Sequence, residues 1–171
     1  GRDDSDGNTA LGNLSLGGGH DTTSVNTANN NIAIGYKSVG GITGSSTALT
    51  AQYNVGIGVL TMPSISSGAS NVAIGYTAGQ ALTTGDNNTL IGSGAGDGIT
   101  TGANNTGVGK DVAFDVDANN QTAIGNEATT ASTGANTIML GNSSVTDVYM
   151  GDDGNAWSQV SDGRLKRNVT D

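Results

Sequence analysis

The sequence has no cysteine, so disulfides and thiolate metal sites are excluded. It has one proline, and aromatic residues make up only 4% of its 171 positions. Phe114 and Trp157 are the single Phe and Trp. A conventional core of this length leans on large aromatic and aliphatic side chains, and most of that material is missing. Charged residues are scarce too, at 12%, which is too few for an ordinary disordered chain. No apolar run approaches membrane-spanning length, and nothing resembles a signal peptide. Positive charge is short: six Lys and Arg stand against fifteen Asp and Glu, a net charge of −9. That balance argues against nucleic acid as a partner, because phosphate binding needs a basic face. Three of the six basic residues, Arg164, Lys166 and Arg167, crowd the last eight positions and mark a different segment there. The chain opens at Gly1 without a Met, which we read as a fragment or a processed product.

What is abundant is glycine, 29 residues, and it recurs on a period. The motif Asn-x-[Ala/Gly]-[Ile/Val/Leu]-Gly reads NTALG ending at Gly12, NIAIG at Gly35, NVGIG at Gly58 and NVAIG at Gly75. It continues as NTLIG at Gly92, NTGVG at Gly109, QTAIG at Gly125 and TIMLG at Gly141. The glycines are spaced by 23, 23, 17, 17, 17, 16 and 16 residues, which is the signature of a stacked array. The residue before each glycine is aliphatic in all eight repeats. A second apolar row, seven residues after the glycine, comprises Ile42, Ile65, Leu82, Ile99 and Val116. It fails at Gly19 and Ser132, as expected of atypical end coils.

These patterns predict an all-β chain, a repetitive parallel β-roll or β-solenoid. Each coil has a short strand such as Val72-Ala73-Ile74, a glycine turn, a second short strand through the second apolar row, and a return loop such as Thr84–Asn87. The recurrent asparagines (Asn8, Asn31, Asn54, Asn71, Asn88 and Asn105) either stack as an amide ladder or favour the turn before the strand, and the two are compatible. We expect the aliphatic row before each glycine to be buried. Small rows such as Ala10, Ala33, Ala73 and Ala123 leave each coil a thin core, and several chains packing their small-residue faces together would remedy this. A homotrimer is the expected assembly.

The NIAIGYKSVGG and NVAIGYTAG stretches resemble the head repeats of trimeric autotransporter adhesins, which form left-handed parallel β-rolls and recur in bacteriophage tail fibres. The resemblance covers roughly residues 8–141. The end, Ser161-Asp162-Gly163-Arg164-Leu165-Lys166-Arg167-Asn168-Val169, resembles the opening of the self-cleaving intramolecular chaperone domain that closes many phage tail fibres and tailspikes. The implied organisation is β-roll repeats over 1–141, a connector over 142–160, and the beginning of a truncated chaperone domain over 161–171. In that family the chaperone trimerises the chains and then cuts itself off. The resemblance implies autocleavage at Ser161–Asp162, with Ser161 as the hydroxyl and Lys166 as the nearby candidate base. Only ten residues follow Ser161, far too few for the chaperone, so we expect cleavage only when a downstream domain is present.

The implied function is structural and adhesive. It is a tail-fibre segment of a virion, trimeric with itself, that meets a bacterial surface receptor, either a glycan or an outer-membrane component. It has no cofactor, no metal, no nucleic acid and no membrane insertion. The alternative is the head of a trimeric adhesin on a bacterial cell surface.

Other signals have blander readings. Gly92–Gly98 looks like a phosphate loop but lacks the Lys-Ser/Thr ending, so we read a repeat turn. His20, the sole histidine, has no Cys or Glu neighbours to anchor a metal. Asp3–Asn8 hints at calcium without the later Glu of an EF-hand loop. Asp111, Asp115, Asp117 and Glu127 could line a glycan-depolymerising cleft, which needs two carboxylates facing one groove, but the loops are short and aromatic platforms are missing. A row of Thr43, Ser66, Thr83, Thr100 and Thr133, interrupted by Asp117, offers an ice-binding or flat-surface reading, which we rank last.

Overall fold

The computed structural model describes residues 7–17, 27–40, 49–130 and 135–145. Eight three-residue strands are present: β1 (Thr9–Leu11), β2 (Ile32–Ile34), β3 (Val55–Ile57), β4 (Val72–Ile74), β5 (Thr89–Ile91), β6 (Thr106–Val108), β7 (Thr122–Ile124) and β8 (Ile138–Leu140). They form one parallel sheet in sequence order. Each strand lies in register on the next, so Ala33 pairs with Gly56, Ala73 with Leu90, and Gly107 with Ala123. The described residues contain no helix. The chain is therefore an all-β parallel solenoid, one strand per coil.

The turn after each strand depends on glycine. Gly12, Gly35, Gly58, Gly75, Gly92, Gly109 and Gly125 have φ between +126° and +143°, a region that side-chain-bearing residues scarcely enter. They also stack. A Cβ at Gly75 would stand 2.5 Å from the carbonyl oxygen of Gly92, and one at Gly35 2.1 Å from that of Gly58. Hence the same residue recurs at the same corner. Two residues later the backbone is left-handed again, at Leu60 (φ 56°), Thr77 (φ 55°) and Asp111 (φ 52°), with Gly94 in the same column.

The asparagines do form a ladder. The Asn88 side-chain amide donates to Asn71 Oδ1 at 3.0 Å and to the Gly102 carbonyl at 2.9 Å. Its own oxygen accepts the Asn105 backbone N–H at 3.1 Å and the Asn105 amide at 2.9 Å. The pattern repeats at Asn31, Asn54 and Asn71, so each fully buried amide meets both its donor and acceptor capacity. The ladder ends where Gln121 replaces Asn: its backbone N–H donates to Asn105 Oδ1, and Thr130 donates to its side-chain oxygen.

Three expectations are corrected. First, in β2 to β7 the middle residue of the strand faces the core, not the aliphatic residue before the glycine, while Ala10 of β1 and Met139 of β8 are exposed. Ala33, Ala73, Leu90 and Ala123 are fully buried, whereas Ile91 is 37% exposed. A three-residue strand turns its first and third side chains to one face and its second to the other. Apart from the exposed Ala10, the small-residue row is thereby already used inside the chain.

Second, the second apolar row is built from turns, with no strand through Ile65, Leu82 or Ile99. Third, Val116 leaves that row and is 56% exposed. The Thr100 N–H bonds to the Val116 carbonyl, a register that places Val116 one position off the row. The missing residue in that 16-residue coil explains the slip, and Phe114 with Val112 fills the core there. At the other end Ile42 lies outside the described residues. Leu49 is the buried residue stacked on Ile65, as the Thr50–Ser66 backbone bond fixes.

Candidate functional site

Turning the strands inside out relative to expectation leaves an apolar face outward. Its third-position column runs Leu11, Ile34, Ile57, Ile74, Ile91, Val108, Ile124 and Leu140, all exposed or half-buried. Its first-position column reads Thr9, Ile32, Val55, Val72, Thr89, Thr106, Thr122 and Ile138, mixing Thr with aliphatic residues. At ~4.8 Å per strand the columns extend about 34 Å. A continuous aliphatic stripe of that length is unusual on a chain facing water alone.

The residues singled out for autocleavage, Ser161, Asp162 and Lys166, lie outside the described residues. So do His20, most of the acidic stretch Asp3–Asn8, and Thr43 and Thr133 of the hydroxyl row.

The four acidic residues do not converge. Asp111 and Glu127 occupy the same column in successive coils, because the Asp111 N–H bonds to the Ser93 carbonyl and the Glu127 N–H to that of Lys110. Asp115 and Asp117 sit further along the coil, before buried Ala118. Lys110 is salt-bridged to Asp111. Hydrogen bonding and charge attraction from Asp111, aided by Glu127, raise the Lys110 pKa above its usual value. A cleft of about 560 Å³ at the C-terminal end is lined by Glu127, Thr129, Met139, Gly141 and Asn142–Ser144. It therefore holds one carboxylate, where glycoside hydrolysis asks for two across a groove.

The described members of the hydroxyl row are committed to their own backbone. Ser66 donates to the Thr83 carbonyl at 3.2 Å, Thr83 to that of Thr100 at 3.0 Å, and Thr100 to that of Val116 at 3.1 Å. Register makes Val116, not Asp117, the fourth member. The Gly92–Gly98 stretch is a turn of the coil, and Gly94 and Gly96 adopt positive φ there without a following helix.

One corner went unnoticed in the sequence. The column immediately after the turn glycine reads Tyr36, Val59, Tyr76, Ser93 and Lys110, as backbone bonds from Leu60 to Tyr36, Thr77 to Val59 and Gly94 to Tyr76 establish. Tyr36 and Tyr76 are 43% and 58% exposed. The Lys37 ammonium lies 5.5 Å from the Tyr36 ring centroid. The signal was available, since aligning the repeats on their glycines puts both tyrosines at the same position. No protein-family model, curated protein or solved structure matches the chain.

Proposed function

We propose that the chain is an adhesive fibre segment, a stretch of phage tail fibre, that works as a homotrimer with the aliphatic columns of three copies turned toward one another. The observation that carries this reading is the continuous exposed aliphatic stripe from Leu11 to Leu140 on the outer face of the strands. Each coil holds few large buried side chains of its own, so covering the stripe adds apolar burial that a single copy lacks. Three identical, parallel faces close around an axis, and closure leaves no face open for runaway association. A stiff rod with short corners suits the projection of a contact surface at a distance from its anchor.

Among the described residues the acidic side chains do not converge on one groove, which favours adhesion over glycan cleavage. The repeats serve a bacterial trimeric adhesin equally well. Preference for the tail fibre rests on the Ser161–Asp162–Arg164–Lys166 sequence, which resembles the chaperone junction of phage fibres.

Sedimentation equilibrium of the full chain tests the assembly. We expect a mass three times the 16.8 kDa of the single chain. Ile57→Asp with Ile91→Asp should lower that mass to one chain, because carboxylates would have to be desolvated between copies. The β-sheet circular-dichroism signal should persist, since both side chains are exposed in the single chain. A native chain that is monomeric at tens of micromolar sinks the reading.

The junction is tested separately in a protein carrying the downstream domain. There cleavage after residue 161 is expected, with Ser161→Ala and Lys166→Ala both uncut and still trimeric. Cleavage of the Ser161→Ala protein at the same bond removes the phage assignment but leaves the assembly untouched.

A further inference from the structure

We infer that the corner carrying Tyr36, Lys37 and Tyr76 is a binding strip for a linear, acid-bearing glycan laid along the solenoid axis. The inference deepens the adhesive reading by naming the class of receptor and the residues that meet it.

The argument starts from scarcity. The described residues include three tyrosines, and all three point outward, whereas the one phenylalanine is in the core. Two of the three share a column. Tyr36 and Tyr76 are two coils apart with Val59 between them, so their backbones are separated by about 9.6 Å along the axis. Each follows a turn glycine and precedes a left-handed residue, Lys37 or Thr77, so both rings leave the backbone at the same point of the coil. Repetition thus supplies two rigid, amphipathic platforms in line, with little side-chain entropy to lose on binding.

A pyranose offers a matching surface, with an apolar face of C–H groups to lie on a ring and a rim of hydroxyls for polar groups beside it. Successive sugars of a linear chain would run parallel to the stack of coils.

Charge selects the type of glycan. The chain as a whole is strongly acidic, at −9, yet both lysines of the described residues belong to this corner, and its two carboxylates, Asp111 and Glu127, lie two and three coils beyond Tyr76. Lys110 is engaged by Asp111, the one ion pair among the described residues. Lys37 instead lies over the Tyr36 ring, outside any ion pair among the described residues, so a sugar stacking there displaces its ammonium from the ring face and can offer it a carboxylate in exchange. A neutral glycan would leave that charge unused, and a protein partner would lack the deep anchor pocket that holds most interface energy.

One turn glycine separates this column from the aliphatic one, so the strip borders the face assigned to assembly. The test therefore separates the two readings. Binding of alginate, hyaluronan and pectate hexasaccharides to the full chain is measured by calorimetry, with maltohexaose as the uncharged comparison. At least one acidic hexasaccharide should bind, and bind more tightly than maltohexaose. Tyr36→Ala and Tyr76→Ala should each weaken it about tenfold. Lys37→Gln should weaken it about threefold and abolish the preference over maltohexaose. Tyr53→Ala, exposed before the strand in a different column, should change nothing.

Sedimentation of the same variants should match the native chain. Failure of all three acidic probes to bind overturns the proposal, and so does equal weakening by Tyr53→Ala. A change of oligomeric mass in Tyr36→Ala would reassign the corner to contact between copies.

Discussion

The inner and outer faces of the six central strands, β2 to β7, differ in a way that reverses the usual relation between size and burial. Inside, the column reads Ala33, Gly56, Ala73, Leu90, Gly107 and Ala123; outside, Ile34, Ile57, Ile74, Ile91, Val108 and Ile124. Inside, volume is traded between neighbouring residues. A Cβ on Gly107 would meet the Phe114 ring at 2.8 Å, and one on Gly56 would meet Val39 at 2.6 Å. Leu90 in turn reaches its space because Gly96 stands beside it, where a Cβ would approach within 2.5 Å. The core is thus packed by complementing small with large from coil to coil. The outer column has no such neighbours within the chain, and its uniformity is what the proposed assembly would use.

The comparison breaks most severely at the hinge between the two faces. Gly75→Val would force a β-branched residue to φ +133° and drive Cβ against the Gly92 carbonyl. We expect a loss of about 4 kcal/mol or more, read as a collapse of the thermal midpoint.

Next comes a pair of substitutions on one strand. Leu90→Ala leaves a cavity in the buried column and should cost about 3 kcal/mol at any protein concentration. Ile91→Ala, one residue along, should cost about 1 kcal/mol in a lone chain and clearly more in an assembled one. Its effect should therefore grow with protein concentration, and identical shifts for both variants at every concentration would erase the distinction between the faces. The exposed Thr84→Asp serves as the silent control.

The smallest effect is a gain. Thr77 is β-branched at φ 55° in a column where the next coil has Gly94, so Thr77→Gly should raise stability by under about 1 kcal/mol in chemical denaturation.

Much of the architecture was legible in the repeats. Spacing located all eight strands and their glycine turns, and the asparagine periodicity pointed to the ladder, because stacked coils bring equivalent residues together. Facing was not legible. In a strand of three residues, alternation leaves two outward positions for each inward one, and the reflex that large aliphatics are buried chose the wrong side for Ile74 and Ile91. Counting from the glycine also misplaced Val116, since a one-residue deletion shifts every later position while backbone bonds restore register elsewhere. The tyrosine corner was hidden by its spacing: only superposition of the repeats shows Tyr36 and Tyr76 as neighbours in one column. Ser161, Asp162 and Lys166 stand on resemblance alone, as they lie outside the described residues.

The asparagine ladder has a further consequence. Every amide in it takes an oxygen from the preceding coil and presents one to the next, so the junctions between coils in the ladder are chemically alike. Removing or duplicating one 17-residue unit between Asn54 and Asn105 would therefore rejoin the same bonds. Length in such a rod is inherited in steps of about 4.8 Å. Genetic loss or gain of a repeat can thus reset the length of the solenoid without redesigning any junction within it.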